Sequence, residues 1–157
     1  MKQVLKYVNT EIVFREIPDE ITLAINLSNC PHRCIGCHSP YLQQDLGEEL
    51  NETSLVELIG KYEKSVTCIC FMGGDAAPRE VCRLARFVRL QWNCKLKTAW
   101  YSGCRKIPET VSAENFNFIK LGAYVAKLGG LNVASTNQRL YKIHNGVFND
   151  ITSLLQK

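Results

Sequence analysis

Apolar residues recur along this chain with two different periods, and the alternation between them sets out the elements. Ile21-Thr22-Leu23-Ala24-Ile25-Asn26-Leu27 is rich in aliphatic and β-branched side chains, as a strand requires. Val66-Thr67-Cys68-Ile69-Cys70-Phe71-Met72 is almost wholly apolar, the pattern of a strand covered on both faces. Between these two runs, Leu55, Leu58, Ile59 and Tyr62 return at helical spacing, and Ser54-Leu55-Val56-Glu57 reads as a capping box. Pro78 opens a second helix, in whose first turn proline is tolerated, and Val81, Leu84, Ala85 and Val88 are its core face. Leu96 to Tyr101 and Phe116 to Leu121 predict further strands, ended by Ser102-Gly103 and by Gly122. Val4 to Phe14 predicts a short strand or hairpin and Pro18-Asp19 a turn. Near the end, Gly129-Gly130-Leu131-Asn132 reads as a loop, Leu140 to Ile143 as a short strand and Phe148 to Leu155 as a closing helix.

Strands alternating with helices place the chain in the α/β class with a parallel sheet. Its 157 residues make a single domain, 1–157. A complete eight-fold barrel takes about 250 residues, so the expectation is an incomplete parallel βα barrel. In such architectures ligand groups gather at the C-terminal ends of the strands. That edge would carry the loop after Leu27, Gly73-Gly74-Asp75, Ser102 and the stretch Lys120 to Gly122.

Composition narrows the class. An apolar fraction of 46% describes a folded chain, and no apolar run is long enough to span a membrane. Met1-Lys2-Gln3-Val4-Leu5-Lys6 lacks the apolar core of a secretion signal. Eight cysteines could frame disulfides, but a tight triplet within an aliphatic chain of this length points to a reducing cytoplasm. The net charge of +4 suits an acidic small molecule or protein partner and requires no nucleic acid. Arg79, Arg83, Arg86 and Arg89 form a basic stripe, read first as a solvated helix face and second as a surface for an acidic partner.

The densest chemistry lies in Cys30-Pro31-His32-Arg33-Cys34-Ile35-Gly36-Cys37, a C-x3-C-x2-C triplet directly after the first long strand. Three thiolates on so short a loop can surround one centre. A fourth ligand is hard to supply, because His38 adjoins Cys37 and adjacent side chains chelate one ion poorly. Structural zinc sites are normally closed by four ligands. A four-iron cluster takes thiolates at its corners, and three cysteines would leave one iron open. A zinc knuckle and three buried thiols remain alternatives. Cys68 and Cys70 read as small hydrophobes in a strand, and Cys82, Cys94 and Cys104 show no second ligand spacing.

The triplet and its position resemble the radical S-adenosylmethionine (SAM) family. That resemblance implies a fold, the incomplete parallel barrel of the radical SAM type, and a [4Fe-4S] cluster on Cys30, Cys34 and Cys37 whose open iron holds SAM. Gly73-Gly74-Asp75 resembles the family's Gly-Gly-Glu stretch, with Asp one methylene shorter, and implies contact with the methionine part of SAM. Ser102, at a strand end, offers a hydroxyl to a ribose or carboxylate, or simply makes a turn. Within Gly129 to Arg139, the segment Ser135-Thr136-Asn137-Gln138-Arg139, together with Gly36, looks like the activating proteins of anaerobic (class III) ribonucleotide reductase. On that likeness Asn137 and Arg139 join the cofactor-binding set, although by chemistry alone they suit a polar turn or a helix cap equally.

The implied reaction is reductive cleavage of SAM, fed by flavodoxin or ferredoxin. The resulting 5′-deoxyadenosyl radical takes a hydrogen from a glycine of the reductase. Three alternatives stand beside it: a radical SAM activator of another glycyl radical enzyme or one acting on a small molecule, a ferredoxin-like carrier, and a non-catalytic zinc-binding interaction module.

Overall fold

The computed structural model describes residues 4–28 and 47–156. In chain order these form β1 (Leu5–Val13), β2 (Thr22–Leu27), β3 (Glu48–Leu50), α1 (Glu52–Tyr62), β4 (Cys68–Met72), α2 (Pro78–Gln91), β5 (Lys97–Tyr101), β6 (Phe118–Leu121), β7 (Arg139–His144) and β8 (Val147–Asp150). Short 3-10 turns lie at Ala113–Asn115 and Thr152–Leu155. The strands make one sheet in the order β3-β1-β2-β4-β5-β6-β7-β8.

This sheet corrects the expected fold. Only β2, β4, β5 and β6 run parallel; β1 and β3 on one side and β7 and β8 on the other are antiparallel. Among the described residues there are two α-helices, α1 and α2. Between β5 and β6 stands only the three-residue turn at Ala113–Asn115, not a helix. The architecture is therefore a mixed, mostly β sheet, not an incomplete parallel βα barrel. Repeated βα units are what bring helices to a barrel's wall, and here they stop after α2.

Two local expectations also shift. The cap of α1 is Asn51, three residues ahead of the expected start. Its side chain accepts from the Ser54 N–H at 2.9 Å, and the Ser54 hydroxyl accepts from the Asn51 N–H at 2.8 Å. Asn51 has the extended backbone of a cap, and Ser54 is thus the third residue of the helix rather than its cap. The closing helix expected over Phe148 to Leu155 is instead strand β8 followed by the Thr152–Leu155 turn. Asn145 and Gly146 link β7 to β8 with φ of 49° and 76°. Two such residues make the tight turn whose twist matches a hairpin.

Alternation along the central strands gives the sheet two unlike faces. Leu23, Ile25, Ile69, Phe71, Trp100 and Ile119 point to the side where Leu55, Ile59, Val81, Leu84 and Val88 of the helices close the main core. Cys68, Cys70, Ala99, Phe118 and Leu140 point the other way, under Ile17, Leu131, Ile151 and Leu155. α2 packs directly on β5. Its Pro78 occupies the first turn, as expected, and Val81, Leu84, Ala85 and Val88 are buried.

Candidate functional site at the strand ends

The parallel strands deliver four chain segments to one edge. β2 and β4 are neighbours in register, with Asn26 opposite Met72, so Ser28 and Gly73 leave the sheet side by side. Cys30, Cys34 and Cys37 follow Ser28 and lie outside the described residues, as does Gly36. Gly73 and Gly74 turn the chain from β4 towards α2 with φ of 102° and 86°. At Gly74 a Cβ would sit 2.6 Å from Val81 Cγ2 and 2.9 Å from Leu27 Cδ1, so this glycine lets α2 and β2 close on the turn. The Gly73 carbonyl accepts from the Trp100 indole N–H at 2.7 Å, which fixes the turn to β5.

Asp75 faces the end of β5. Its carboxylate accepts from the buried Ser102 hydroxyl at 2.5 Å and from the Gly103 N–H at 2.8 Å. Ser102 thus bonds a carboxylate, and that carboxylate is the protein's own. The Cys104 thiol lies 3.8 Å from the same carboxylate. Burial raises the Cys104 pKa, the Ser102 hydrogen bond opposes the shift and Asp75 adds to it. Cys104 therefore stays a thiol at neutral pH.

Lys120 carries the connection onward. It is 8% exposed, and its ammonium donates to the Ser102 and Gly122 carbonyls at 3.0 Å each while lying 5.4 Å from the Tyr101 ring centre. Gln138 donates from its side-chain amide to the same Gly122 carbonyl at 3.2 Å. Tyr101, Lys120 and Gln138 line a groove of about 960 Å³ on the face away from α1 and α2. Its far wall is the β1–β2 connection, from Phe14 to Asp19, held by the Tyr101 hydroxyl donating to the Glu16 carbonyl. Leu131, Leu154 and Leu155 supply apolar lining.

The segment Asn137-Gln138-Arg139 is divided by strand alternation. Gln138 is buried beside Lys120. Asn137 and Arg139 are exposed and line a separate cavity, and Arg139 pairs with Asp150 at 3.7 Å. Of the residues assigned from sequence, the structure brings Asp75 and Ser102 into contact and sets Gly73 and Gly74 beside them; Asn137 and Arg139 stand apart. Sequence reasoning carried Gln138 in the motif without naming it among the cofactor-binding residues, and it placed Lys120 at the right edge without a role. The signal was available: Lys120 is the one charged residue in Phe118-Ile119-Lys120-Leu121, and a charge inside a buried strand is there for a partner or a ligand.

Elsewhere the basic stripe on α2 behaves as a helix surface. Arg83 binds Glu80 and Glu52, Arg89 binds the Glu114 carbonyl and Asn117, and Arg79 and Arg86 are exposed. Among the described residues no group of three or more His, Cys, Asp or Glu is arranged to hold a metal ion. No described helix is long and apolar enough to cross a membrane. Comparison of the chain with family models, curated proteins and solved structures finds no match.

Proposed function

We propose that this protein is a radical SAM activating enzyme that generates a glycyl radical on anaerobic ribonucleotide reductase. The observation that carries the reading is the pairing of β2 with β4. The cysteine triplet begins two residues beyond Ser28, and Gly73-Gly74-Asp75 begins directly beyond Met72. Because the two strands are parallel neighbours, the chain leaves β2 at Ser28, ahead of the triplet, and leaves β4 at Gly73 from adjacent points on one edge. Cys37 and Gly73 lie 36 residues apart in sequence, and the pairing of β2 with β4 supports the two motifs sharing one site.

The residues suit the groups this reading requires. The thiolates of Cys30, Cys34 and Cys37 would hold a [4Fe-4S] cluster, leaving one position for SAM. A groove of about 960 Å³ falls at the upper end of the range that encloses small ligands, roughly 300–1,000 Å³. When bound, cluster and SAM supply one-electron cleavage of a carbon–sulfur bond, with electrons from flavodoxin or ferredoxin. Within this reading Gly73, which is outside the groove's lining, turns the chain out of β4. Asp75, held by Ser102 and Gly103, fixes the ends of β4 and β5 with respect to each other. Lys120 and Gln138 present a cation and an amide to the groove, while Tyr101 and Leu131 limit water. Asn137 and Arg139 face away from these groups and take no part in the cofactor pocket proposed.

Anaerobic reconstitution with iron and sulfide, followed by dithionite and SAM, tests the proposal. The expected products are 5′-deoxyadenosine and methionine in equal amounts, lost in each of Cys30→Ala, Cys34→Ala and Cys37→Ala. Adding the reductase should give a carbon-centred doublet in electron paramagnetic resonance, absent when the radical-site glycine is alanine. Stoichiometric zinc and no SAM cleavage would instead support the interaction module.

A further inference from the structure

The cavity that Asn137 and Arg139 line has its own chemistry. It measures about 340 Å³ and is walled by Arg105, Leu121, Val125, Leu128, Arg139 and Tyr141. Its two charged residues are both arginines, from separate segments of the chain. The walls are tied together by backbone contacts. The Gly122 N–H donates to the Cys104 carbonyl at 2.8 Å, beside Arg105, and the Asn137 amide donates to the Ala123 carbonyl at 3.0 Å. At Gly122, where φ is 108°, a Cβ would come within 3.2 Å of Gln138 Cα, so the bare glycine lets the Arg139 segment close on β6.

We infer that this cavity binds a phosphate monoester carrying a flat apolar body, a nucleotide-sized organic phosphate. A guanidinium is a planar fork that matches the oxygens of carboxylate or phosphate two at a time. One fork suffices for a carboxylate. Two forks from different segments suit a group with three terminal oxygens and a charge near −2. Leu121, Val125, Leu128 and the Tyr141 ring give the remainder of such a molecule an apolar surface. Asp150 pairs with Arg139 at 3.7 Å and lies outside the lining, so it competes with the ligand for that arginine. The inference is independent of the proposed SAM chemistry, because neither the groove nor the cysteines take part.

Calorimetric titration of the full-length protein with adenosine 5′-monophosphate, adenosine and inorganic phosphate tests it. The nucleotide should bind saturably, and adenosine and phosphate should each bind at least about tenfold more weakly, the equivalent of roughly 1.4 kcal/mol. Arg105→Ala and Arg139→Ala should each weaken the nucleotide by about tenfold or more, with melting temperatures recorded to show that both variants fold. Asp150→Asn keeps the oxygen that accepts from Thr152 but removes the competing charge, and should tighten binding several-fold, a gain that misfolding cannot produce. No saturable binding at millimolar nucleotide, indifference to both arginine changes, or no gain in Asp150→Asn would each overturn the inference. Equal affinity for phosphate alone would overturn the role given to the apolar wall.

Discussion

Across β2, β4 and β5 the two faces of the sheet bury different sizes of side chain. On the helix side, Leu23, Ile25, Ile69, Phe71 and Trp100 are fully buried against the apolar stripes of α1 and α2. On the other side the same strands present Ala24, Cys68, Cys70 and Ala99, covered among the described residues by connecting segments and the Thr152–Leu155 turn rather than by α1 or α2. Regular helices offer a continuous surface that large residues can fill at high density. Irregular segments cover small residues less evenly, and the groove beside Tyr101, Lys120 and Gln138 opens there. Large buried side chains and the open groove are thus divided across one sheet.

Truncation on the two faces should separate these roles. Trp100→Ala removes a fully buried indole and its bond to Gly73, and should cost about 4 kcal/mol in urea unfolding. Cys70→Ala, equally buried on the other face, removes one sulfur and should cost only about 1 kcal/mol. Similar losses for both would end the distinction between the faces.

Gly74→Val probes the boundary between them. The new side chain would strike Val81 and Leu27 on the helix side, from a backbone that side chains rarely adopt. A loss of roughly 3 kcal/mol is expected from overpacking and backbone strain together. The damage should appear as lowered stability of the unloaded protein. An undiminished unfolding midpoint would show that Gly74 faces open space.

The smallest effect at neutral pH comes from the thiols of the groove side. Burial, with Glu20 second, pushes the Cys68 pKa from 9.0 to about 12, and burial also raises Cys70. The folded state therefore holds these protons more tightly than the unfolded chain. Their contribution is complete below about 9, where the unfolded thiol is still protonated, and is lost as pH rises towards 12. Stability measured across that interval should fall, and less steeply in Cys68→Ala. An equal slope in the variant would show that Cys68 is not the group responsible.

Much of the centre was legible in the sequence, because Ile21 to Leu27 and Val66 to Met72 are buried runs whose composition admits little but strand. The flanks were not. Glu48-Glu49-Leu50 is too short to show a period, and it becomes β3 only by pairing with β1. Val147 to Asp150 is an exposed edge strand, every residue of it exposed, so no buried face marks it. The Asn145-Gly146 turn was the available signal, and the apolar residues after it drew the reading towards a helix. At the site, the strand ends were located correctly because parallel strands share an edge. Alternation does not show in one dimension: in Asn137-Gln138-Arg139 the middle residue faces the groove, and the outer two, assigned to the cofactor from the resemblance, line the separate cavity.

The most direct test of the site is SAM affinity of the reconstituted protein, measured without oxygen for the wild type, Lys120→Met and Gln138→Leu, with iron and sulfide content determined on each sample. The expected result is full cluster content in all three, with SAM binding weakened about tenfold or more in Lys120→Met and less in Gln138→Leu, as the loss of a charged and of a neutral hydrogen-bonding group requires. Undiminished SAM affinity in both variants at full iron content would contradict the proposed assignment of the groove beside Lys120 and Gln138 as the cofactor site.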